Sequence, residues 1–218
     1  MGYQIAIDGP AGAGKSTIAK IVAKNKGYIY VDTGAMYRAM ALFVIKNNID
    51  GKNEQAVIEA IPNAEVSIEY QAGEQVVLLN GENVNAYLRT EEVGNMASLT
   101  SKIPAVRQRL TELQKNLAEN NNVVMDGRDI GTVVLPNANV KVYLTASSYV
   151  RAKRRFDELK AKGVDANLEE IKKDIELRDE QDMNREVSPL KQADDAILVD
   201  SSDMSIEEVA NKIISLCR

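Results

Sequence analysis

A glycine-rich segment near the start of the chain has the residue types and spacing of a loop that binds phosphate groups. Gly9–Ser16 fills the pattern G-x-x-x-x-G-K-[ST], which holds nucleotide phosphates where it joins a strand to a helix. Residues 3–7 are predicted to form a short buried strand, and residues 17–26 carry apolar side chains at helical spacing. The loop amides and the positive end of the helix would then face a polyphosphate. We predict that Lys15 contacts the β- and γ-phosphates and that Ser16 binds Mg²⁺; the alternative is a glycine-rich turn without a ligand.

An acidic and a basic residue follow another apolar run. Asp126 comes directly after the predicted strand at residues 122–125, a position typical of a carboxylate that holds Mg²⁺ through water. The alternative is a turn aspartate that caps the backbone at Gly127. Arg128 would lie over the same end of the sheet, where a guanidinium can bind a phosphate through two hydrogen bonds.

Two predicted helices carry arginines at spacings that place them on one face. The first set is Arg151, Arg154 and Arg155, and the second is Arg178, Asp182 and Arg185. These faces either close over bound anions, as a flap and its support, or are solvated surfaces with internal salt bridges. The spacing alone leaves both interpretations open.

The composition excludes several classes of chemistry and of partner. The 218 residues include no histidine, so Ser-His and Cys-His nucleophiles and histidine-metal sites are excluded. The net charge of −5 argues against a nucleic-acid partner. We therefore expect the arginines to bind small anions in a cleft.

Several features predict a cytoplasmic protein without a membrane partner. No apolar run approaches the roughly 18 residues of a membrane span, and no basic segment precedes the first strand. Cys217 is the single cysteine and cannot form an internal disulfide. We also expect the protein to be a monomer.

Predicted strands and helices alternate along most of the chain, which favours an α/β fold with a parallel sheet covered on both faces. Five core strands are expected at residues 3–7, 28–31, 122–125, 139–144 and 196–199. Helices are expected at residues 17–26, 35–46, 55–61, 91–101, 104–119 and 147–162, with capped helices after Asn167 and Ser205. Asp32–Gly34 is predicted to form a turn after the second strand.

One segment departs from this alternation. Residues 64–87 show strand periodicity, with a hairpin signal at Asn80–Gly81. We therefore predict a core of residues 1–62 and 88–218, with a lid at about residues 150–165 and a β-rich insertion at residues 63–87.

Five segments together resemble bacterial cytidylate kinases. They are Asp8–Ser16, Asp32–Arg38, Arg89–Val93, Asp126–Gly131 and Arg178–Arg185. The resemblance covers nearly the whole chain in order, including the β-rich part. It implies a three-layer P-loop fold with a five-stranded parallel sheet, a monophosphate-binding part and a mobile lid. It also implies Mg²⁺-dependent transfer of the γ-phosphate of ATP to CMP or dCMP.

The same resemblance assigns roles to individual residues. The residues implied to hold ATP are Gly9, Pro10, Ala11, Gly12, Ala13, Gly14, Lys15, Ser16, Thr17 and Arg151, with Ser16 and Asp126 at Mg²⁺. The residues implied to bind the acceptor are Thr33, Tyr37, Arg38, Ser98, Arg107, Asp129, Arg178, Asp182 and Arg185. The residues implied to act on the migrating phosphate are Lys15, Arg128, Arg155 and Arg185.

The chemistry of cytosine agrees with the implied base contacts. A carboxylate such as Asp129 accepts a hydrogen bond from the N4 amino group, whereas Arg107 and Ser98 donate to N3 and O2. Uracil would place an acceptor against the carboxylate, which costs about 1–3 kcal/mol. Two alternatives stay open: a P-loop kinase for another acceptor (UMP, AMP or a sugar acid), and an ATP-binding regulatory module without catalysis.

Overall fold

The structure, a computed structural model, describes residues 2–217. Its strands are β1 (Gln4–Asp8), β2 (Ile29–Asp32), β3 (Val66–Gln71), β4 (Glu74–Leu79), β5 (Glu82–Asn83), β6 (Val123–Gly127), β7 (Val140–Thr145) and β8 (Ile197–Asp200). Its helices are α1 (Lys15–Lys26), α2 (Thr33–Lys46), α3 (Glu54–Ala60), α4 (Glu91–Thr100), α5 (Pro104–Glu119), α6 (Ser148–Ala161), α7 (Leu168–Asn184) and α8 (Ile206–Leu216). A 3₁₀ turn (Ile61–Asn63) follows α3, and a π-helical turn (Ile130–Val134) follows β6.

The main sheet has five strands in the order β2-β6-β1-β7-β8, which confirms the predicted α/β class. The central strand β1 runs parallel to both β6 and β7, and Asp8 at its end lies opposite Gly127 and Tyr143. The core of β1, Ile5–Ile7, is fully buried, because a parallel strand covered on both faces presents no side to water. The loops after β1 and β6 therefore begin at the same edge of the sheet.

The chain forms two compact units. The α2 unit comprises Ile29–Asn121 together with Gly2, and the phosphate-loop unit comprises Tyr3–Tyr28 and residues 122–217. In the α2 unit, α2 packs against α4, α5 and β4, so the helices and the small sheet share one core. In the phosphate-loop unit, α1 packs against β1, β6 and α8, and α6 packs against α7. These units divide the chain at positions other than 62/63 and 87/88; the separate insertion at residues 63–87 stays a prediction.

The β-rich segment is a three-stranded antiparallel sheet in the order β3-β4-β5. Its predicted hairpin is confirmed, since Asn80 (φ 50°) and Gly81 (φ 82°) both adopt positive φ, as a two-residue turn of this type requires. The Asn80 side chain accepts a hydrogen bond from the Glu65 amide at 2.7 Å and thereby ties the turn to the residue before β3.

The predicted capping residues begin α7 and α8, and the predicted start of α2 needs one correction. Ser205 and Glu208 form the reciprocal capping box predicted before α8, and the Asn167 side chain accepts from the first turn of α7. The predicted turn at Asp32–Gly34 is wrong, because α2 already begins at Thr33. Asp32 caps that helix by accepting a hydrogen bond from the Ala35 amide at 2.9 Å, the interaction for which aspartate is favoured at this position.

Gly9 is the residue that lets the chain leave β1 beside β7. Its φ is +149°, and a Cβ placed on it would lie 1.9 Å from the carbonyl oxygen of Leu144. That oxygen belongs to the backbone of β7, which is paired with β1 and cannot move away without breaking the sheet. The first glycine of the phosphate loop is therefore required by packing, whatever binds to the loop.

Across residues 2–217, the structure contains no helix that is both long and apolar enough to cross a bilayer.

We predict that Gly9→Ala lowers the free energy of unfolding by about 3–5 kcal/mol, because the new methyl group must displace a strand. Gly27→Ala is the matched control, since Gly27 also has a left-handed φ (+69°) but has no atom within 4 Å of the Cβ position. It pays only the backbone strain of about 1 kcal/mol. Urea denaturation of both variants tests this, and equal losses would contradict the packing argument.

Candidate active site

The phosphate-loop segment lies at the carboxyl end of β1 and leads into α1. Gly14 caps α1 with a left-handed φ of 86° and no side-chain hydrogen bond. The first turn of the helix consists of Lys15, Ser16 and Thr17, without an acidic residue. Such an end attracts an anion, since its N–H groups and the helix dipole both point outward. The residues predicted to hold ATP that lie here are Gly9, Pro10, Ala11, Gly12, Ala13, Gly14, Lys15, Ser16 and Thr17.

Lys15 is buried and turned onto its own loop. Its Nζ donates a hydrogen bond to the carbonyl oxygen of Pro10 at 2.7 Å. Burial, followed by the nearby charge of Arg128, lowers the pKa of Lys15 from 10.5 to about 7. A phosphate oxygen would give the ammonium group a full negative charge in place of a carbonyl dipole, so an anion is the partner that this position favours.

Ser16 and Asp126 place two oxygen ligands together. The Ser16 hydroxyl donates to Oδ2 of Asp126 at 2.9 Å, and Asp126 is 4% exposed at the end of β6. Hydroxyl and carboxylate oxygens are the donors that Mg²⁺ prefers, usually beside water and substrate phosphates. The two residues therefore fit the role that the sequence predicts for them.

Two arginines and two aspartates form a network beyond β6. Nε of Arg128 lies 2.7 Å from Oδ2 of Asp182, and Nη1 of Arg185 lies 3.7 Å from Oδ1 of the same carboxylate. Nη2 of Arg185 also lies 3.6 Å from Oδ1 of Asp129. Burial by itself lowers the pKa of Arg128, but Asp182 outweighs it, so the pKa is raised above its usual range. The predicted alternative, salt bridges within the second set, accounts for the Arg185–Asp182 contact but not for the contact of Asp182 with Arg128 in the loop after β6.

The other helical arginines do not form one cationic face. Arg151 is buried and pairs with Asp179 of α7 at 2.6 Å. Arg154 donates to the carbonyl oxygen of Ser201 at 2.7 Å. Arg155 is half exposed and pairs with Glu158 one turn along α6, whereas Arg178 lies on the exposed side of α7. Arg151 thus holds protein groups in this structure, and its implied role in holding ATP stays a prediction.

The remaining predicted acceptor residues lie in the α2 unit. They are Thr33, Tyr37 and Arg38 on α2, Ser98 on α4 and Arg107 on α5. Arg107 is buried, its guanidinium lies 5.4 Å from the centre of the Tyr37 ring, and its Nη1 donates to the Ser101 carbonyl at 3.2 Å. This arrangement fixes the direction of the guanidinium group.

Asp32, predicted only as part of a turn, lies in a charged cluster at the start of α2. Its carboxylate lies 2.9 Å from Nη2 of Arg89 and 3.9 Å from Nη1 of Arg38. Gly34 leaves room for this cluster, since a Cβ there would lie 3.2 Å from the Asp32 carboxylate. The segment Asp32–Arg38 contains the signal, because an N-cap aspartate and an arginine six residues later lie at one end of the helix.

Asp8 is a second functional residue that the sequence analysis missed. Its two carboxylate oxygens accept hydrogen bonds from the amides of Ile130 at 2.8 Å and Gly131 at 2.7 Å. These amides directly follow Asp129, so Asp8 fixes the backbone that carries Arg128 and Asp129. Burial raises the pKa of Asp8 from 3.8 to about 6, although the two amides oppose this rise.

Comparisons with known proteins agree with this geometry. The family model described as Cytidylate kinase matches residues 5–218. The chain is 51% identical to the cytidylate kinase of Caldicellulosiruptor bescii over 97% of this chain and 94% of that protein. It is 49% identical to the cytidylate kinase of Lactobacillus johnsonii over 98% and 93%.

Among solved structures, an uncharacterized protein from Eubacterium ventriosum superimposes with a TM-score of 0.53. The match covers 99% of this chain and 97% of that one at 13% sequence identity. At that identity the match supports the α/β fold and carries no information about the substrate.

We predict that the charge on Asp8 makes the protein less stable as the pH rises from about 4 to 6. The unfolded carboxyl releases its proton near 3.8 and the folded one near 6, so the folded state binds more protons in this window. The neighbouring charge of Asp129 raises the pKa of Asp8, and that of Lys15 lowers it. The free energy of unfolding of the wild type minus that of Asp8→Asn should fall by about 2 kcal/mol between pH 4 and pH 7, because the unfolded carboxyl is already more than half ionised at pH 4.

The control for this measurement is Asp195→Asn. The Asp195 carboxylate is exposed, and its hydrogen bond from Lys141 lowers its pKa, so the corresponding difference should rise with pH instead of falling. Denaturant titrations at several pH values give both differences. The same slope for the two variants would contradict a raised pKa at Asp8.

Proposed function

Because the chain belongs to the cytidylate kinase family, we propose that it transfers the γ-phosphoryl group of ATP to CMP or dCMP. The products are ADP and CDP or dCDP. The observation that carries the proposal is that the phosphate-loop unit holds two groups of cations with different protein partners. One is the loop with Lys15, and the other is the Arg128–Arg185 network. An ATP-binding module without an acceptor has no need of the second group.

The donor nucleotide would bind along the loop Gly9–Thr17. Loop amides and the start of α1 surround its phosphates, and Lys15 exchanges the Pro10 carbonyl for oxygens of the β- and γ-phosphates. Ser16 and Asp126 would hold Mg²⁺. When bound, this ion neutralises charge that develops on the β- and γ-phosphate oxygens.

The phosphate of the acceptor would replace protein carboxylates as the partner of two arginines. In this structure, Arg128 is paired with Asp182 and Arg185 with Asp129. A phosphate dianion offers these guanidinium groups more negative charge and can accept two hydrogen bonds from each. We assign Arg38 to the acceptor phosphate as well, Arg178 and Asp182 to the sugar, and Ser98, Arg107 and Asp129 to the cytosine edge.

The reaction itself demands little covalent chemistry from the protein. An oxygen of the acceptor's α-phosphate forms a bond to the γ-phosphorus, and the bond from that phosphorus to the β–γ bridging oxygen breaks. Because the acceptor is already an anion, no side chain has to remove a proton from it. Catalysis therefore rests on positioning and charge neutralisation, which suits a chain without histidine.

Selectivity among acceptors tests the proposed substrate. CMP and dCMP should give ADP at rates far above those with UMP, AMP or shikimate in a coupled ADP-release assay. Lys15→Ala should lower kcat by roughly 10²–10³-fold with every acceptor, since it removes charge at the migrating group itself. Activity with UMP or AMP equal to that with CMP would overturn the proposed substrate.

Selection of the base tests the role of Asp129. Asp129→Asn keeps the size of the buried side chain but adds an amide donor that can face the O4 atom of uracil. The ratio of kcat/KM for CMP to that for UMP should fall about tenfold, within the range expected for one mispaired polar group. Lys15→Ala is the matched comparison, because it should leave this ratio unchanged. An unchanged ratio in Asp129→Asn would remove Asp129 from the base contacts.

A further inference from the structure

A buried ion pair joins α6 to α7 next to the phosphate loop. Nη1 of Arg151 lies 2.6 Å from Oδ2 of Asp179, and the two side chains are only 7% and 8% exposed. Arg151 also donates through Nε to the Ala146 carbonyl just before α6, at 2.8 Å. Neither charge is therefore free to turn toward solvent.

The same pair binds both polar groups of one loop residue. The amide of Ala11 donates to Oδ1 of Asp179 at 3.1 Å, and the carbonyl oxygen of Ala11 accepts from Nη1 of Arg151 at 2.8 Å. A residue held at its N–H and its C=O cannot rotate either of its peptide planes. The ion pair thus fixes the backbone direction at the tip of the loop.

The next residue shows how closely the helices approach this tip. Gly12 has a left-handed φ of +73°, and a Cβ there would lie 3.4 Å from Cβ of Arg151 and 3.7 Å from Cδ1 of Ile175. These side chains belong to α6 and α7. The loop tip therefore rests on the helix pair, with a glycine at the point of contact.

We propose that Arg151 and Asp179 are positioning residues, which set the Ala11–Gly12 backbone in the shape that receives the donor phosphates. The proposal rests on the proposed function, in which this loop binds ATP. A glycine-rich loop that is not held in place loses conformational entropy for each residue that is fixed when it closes on a phosphate. A loop fixed in advance avoids that loss at the moment of binding.

A purely structural role predicts a different outcome, and this makes the proposal testable. A buried ion pair usually adds little stability over an apolar pair, whereas removing one partner leaves an uncompensated buried charge. Arg151→Met and Asp179→Ala should each be clearly less stable than the wild type. The double variant should recover most of the lost stability, because it buries neither charge.

Binding of ATP separates the two roles. In the double variant, Ala11 has lost the groups that held it, so the Kd for ATP should rise about tenfold even though stability is recovered. The KM for CMP should stay within about twofold, because the Arg128–Asp182 contact is unchanged. Hydrogen exchange at the Ala11 amide should also become faster in the unliganded double variant.

A second ion pair on α6 gives the matched control. Lys153 and Asp157 pair on the exposed side of the helix, and the double variant Lys153→Met/Asp157→Ala should leave the Kd for ATP unchanged. Calorimetric titration with ATP alone measures each Kd without an acceptor, so the result does not depend on CMP being the acceptor. If Arg151→Met/Asp179→Ala recovers both stability and wild-type ATP affinity, the pair is structural only and the proposal fails.

Discussion

The structure depends on how positive charge is compensated around the phosphate loop. A site that binds two phosphorylated ligands must gather cations, and a buried guanidinium or ammonium group without a partner is costly. Three cations of the phosphate-loop unit accordingly contact oxygens of the protein. Lys15 contacts the Pro10 carbonyl, Arg128 contacts Asp182, and Arg151 contacts Asp179. Ligand binding at such a site is an exchange of partners, so the protein oxygens are part of the binding equilibrium.

Exposure separates contacts that can be exchanged from contacts that hold the backbone. The Arg128 and Asp182 side chains are 28% and 22% exposed, so a phosphate oxygen can reach that guanidinium group. The Arg151 and Asp179 side chains are 7% and 8% exposed, and both also bind the loop backbone. Asp8 is of the second kind, since its carboxylate is occupied by two amides of the chain. Similar residue types thus serve as ligand sites or as supports according to burial.

Much of the fold and part of the site could be predicted from the sequence, because the signals are local. The phosphate-loop spacing, the alternation of strands and helices and the capping residue Ser205 each depend on a few adjacent positions. The surroundings of Arg151 could not be predicted in this way. Helical spacing groups it with Arg155, but Arg151 is buried where the start of α6 meets Asp179 and the Ala11 carbonyl, whereas Arg155, one turn further along, is half exposed. The backbone amides that Asp8 and Asp179 bind, those of Ile130 and Ala11, also lie more than 100 residues away along the chain.

Within the phosphate-loop unit, α7 contacts both the phosphate loop and the Arg128–Arg185 network. Asp179 binds Ala11 in the phosphate loop, and Asp182, three residues later, binds Arg128 of the Arg128–Arg185 network. Three residues of an α-helix span about 4.5 Å along its axis, and backbone hydrogen bonds make that length rigid. In-line phosphoryl transfer requires the two phosphates to meet at close range with little freedom. Under the proposed function, one turn of α7 is the spacer between the two phosphates, with Asp179 and Asp182 as its points of attachment to the phosphate loop and to Arg128.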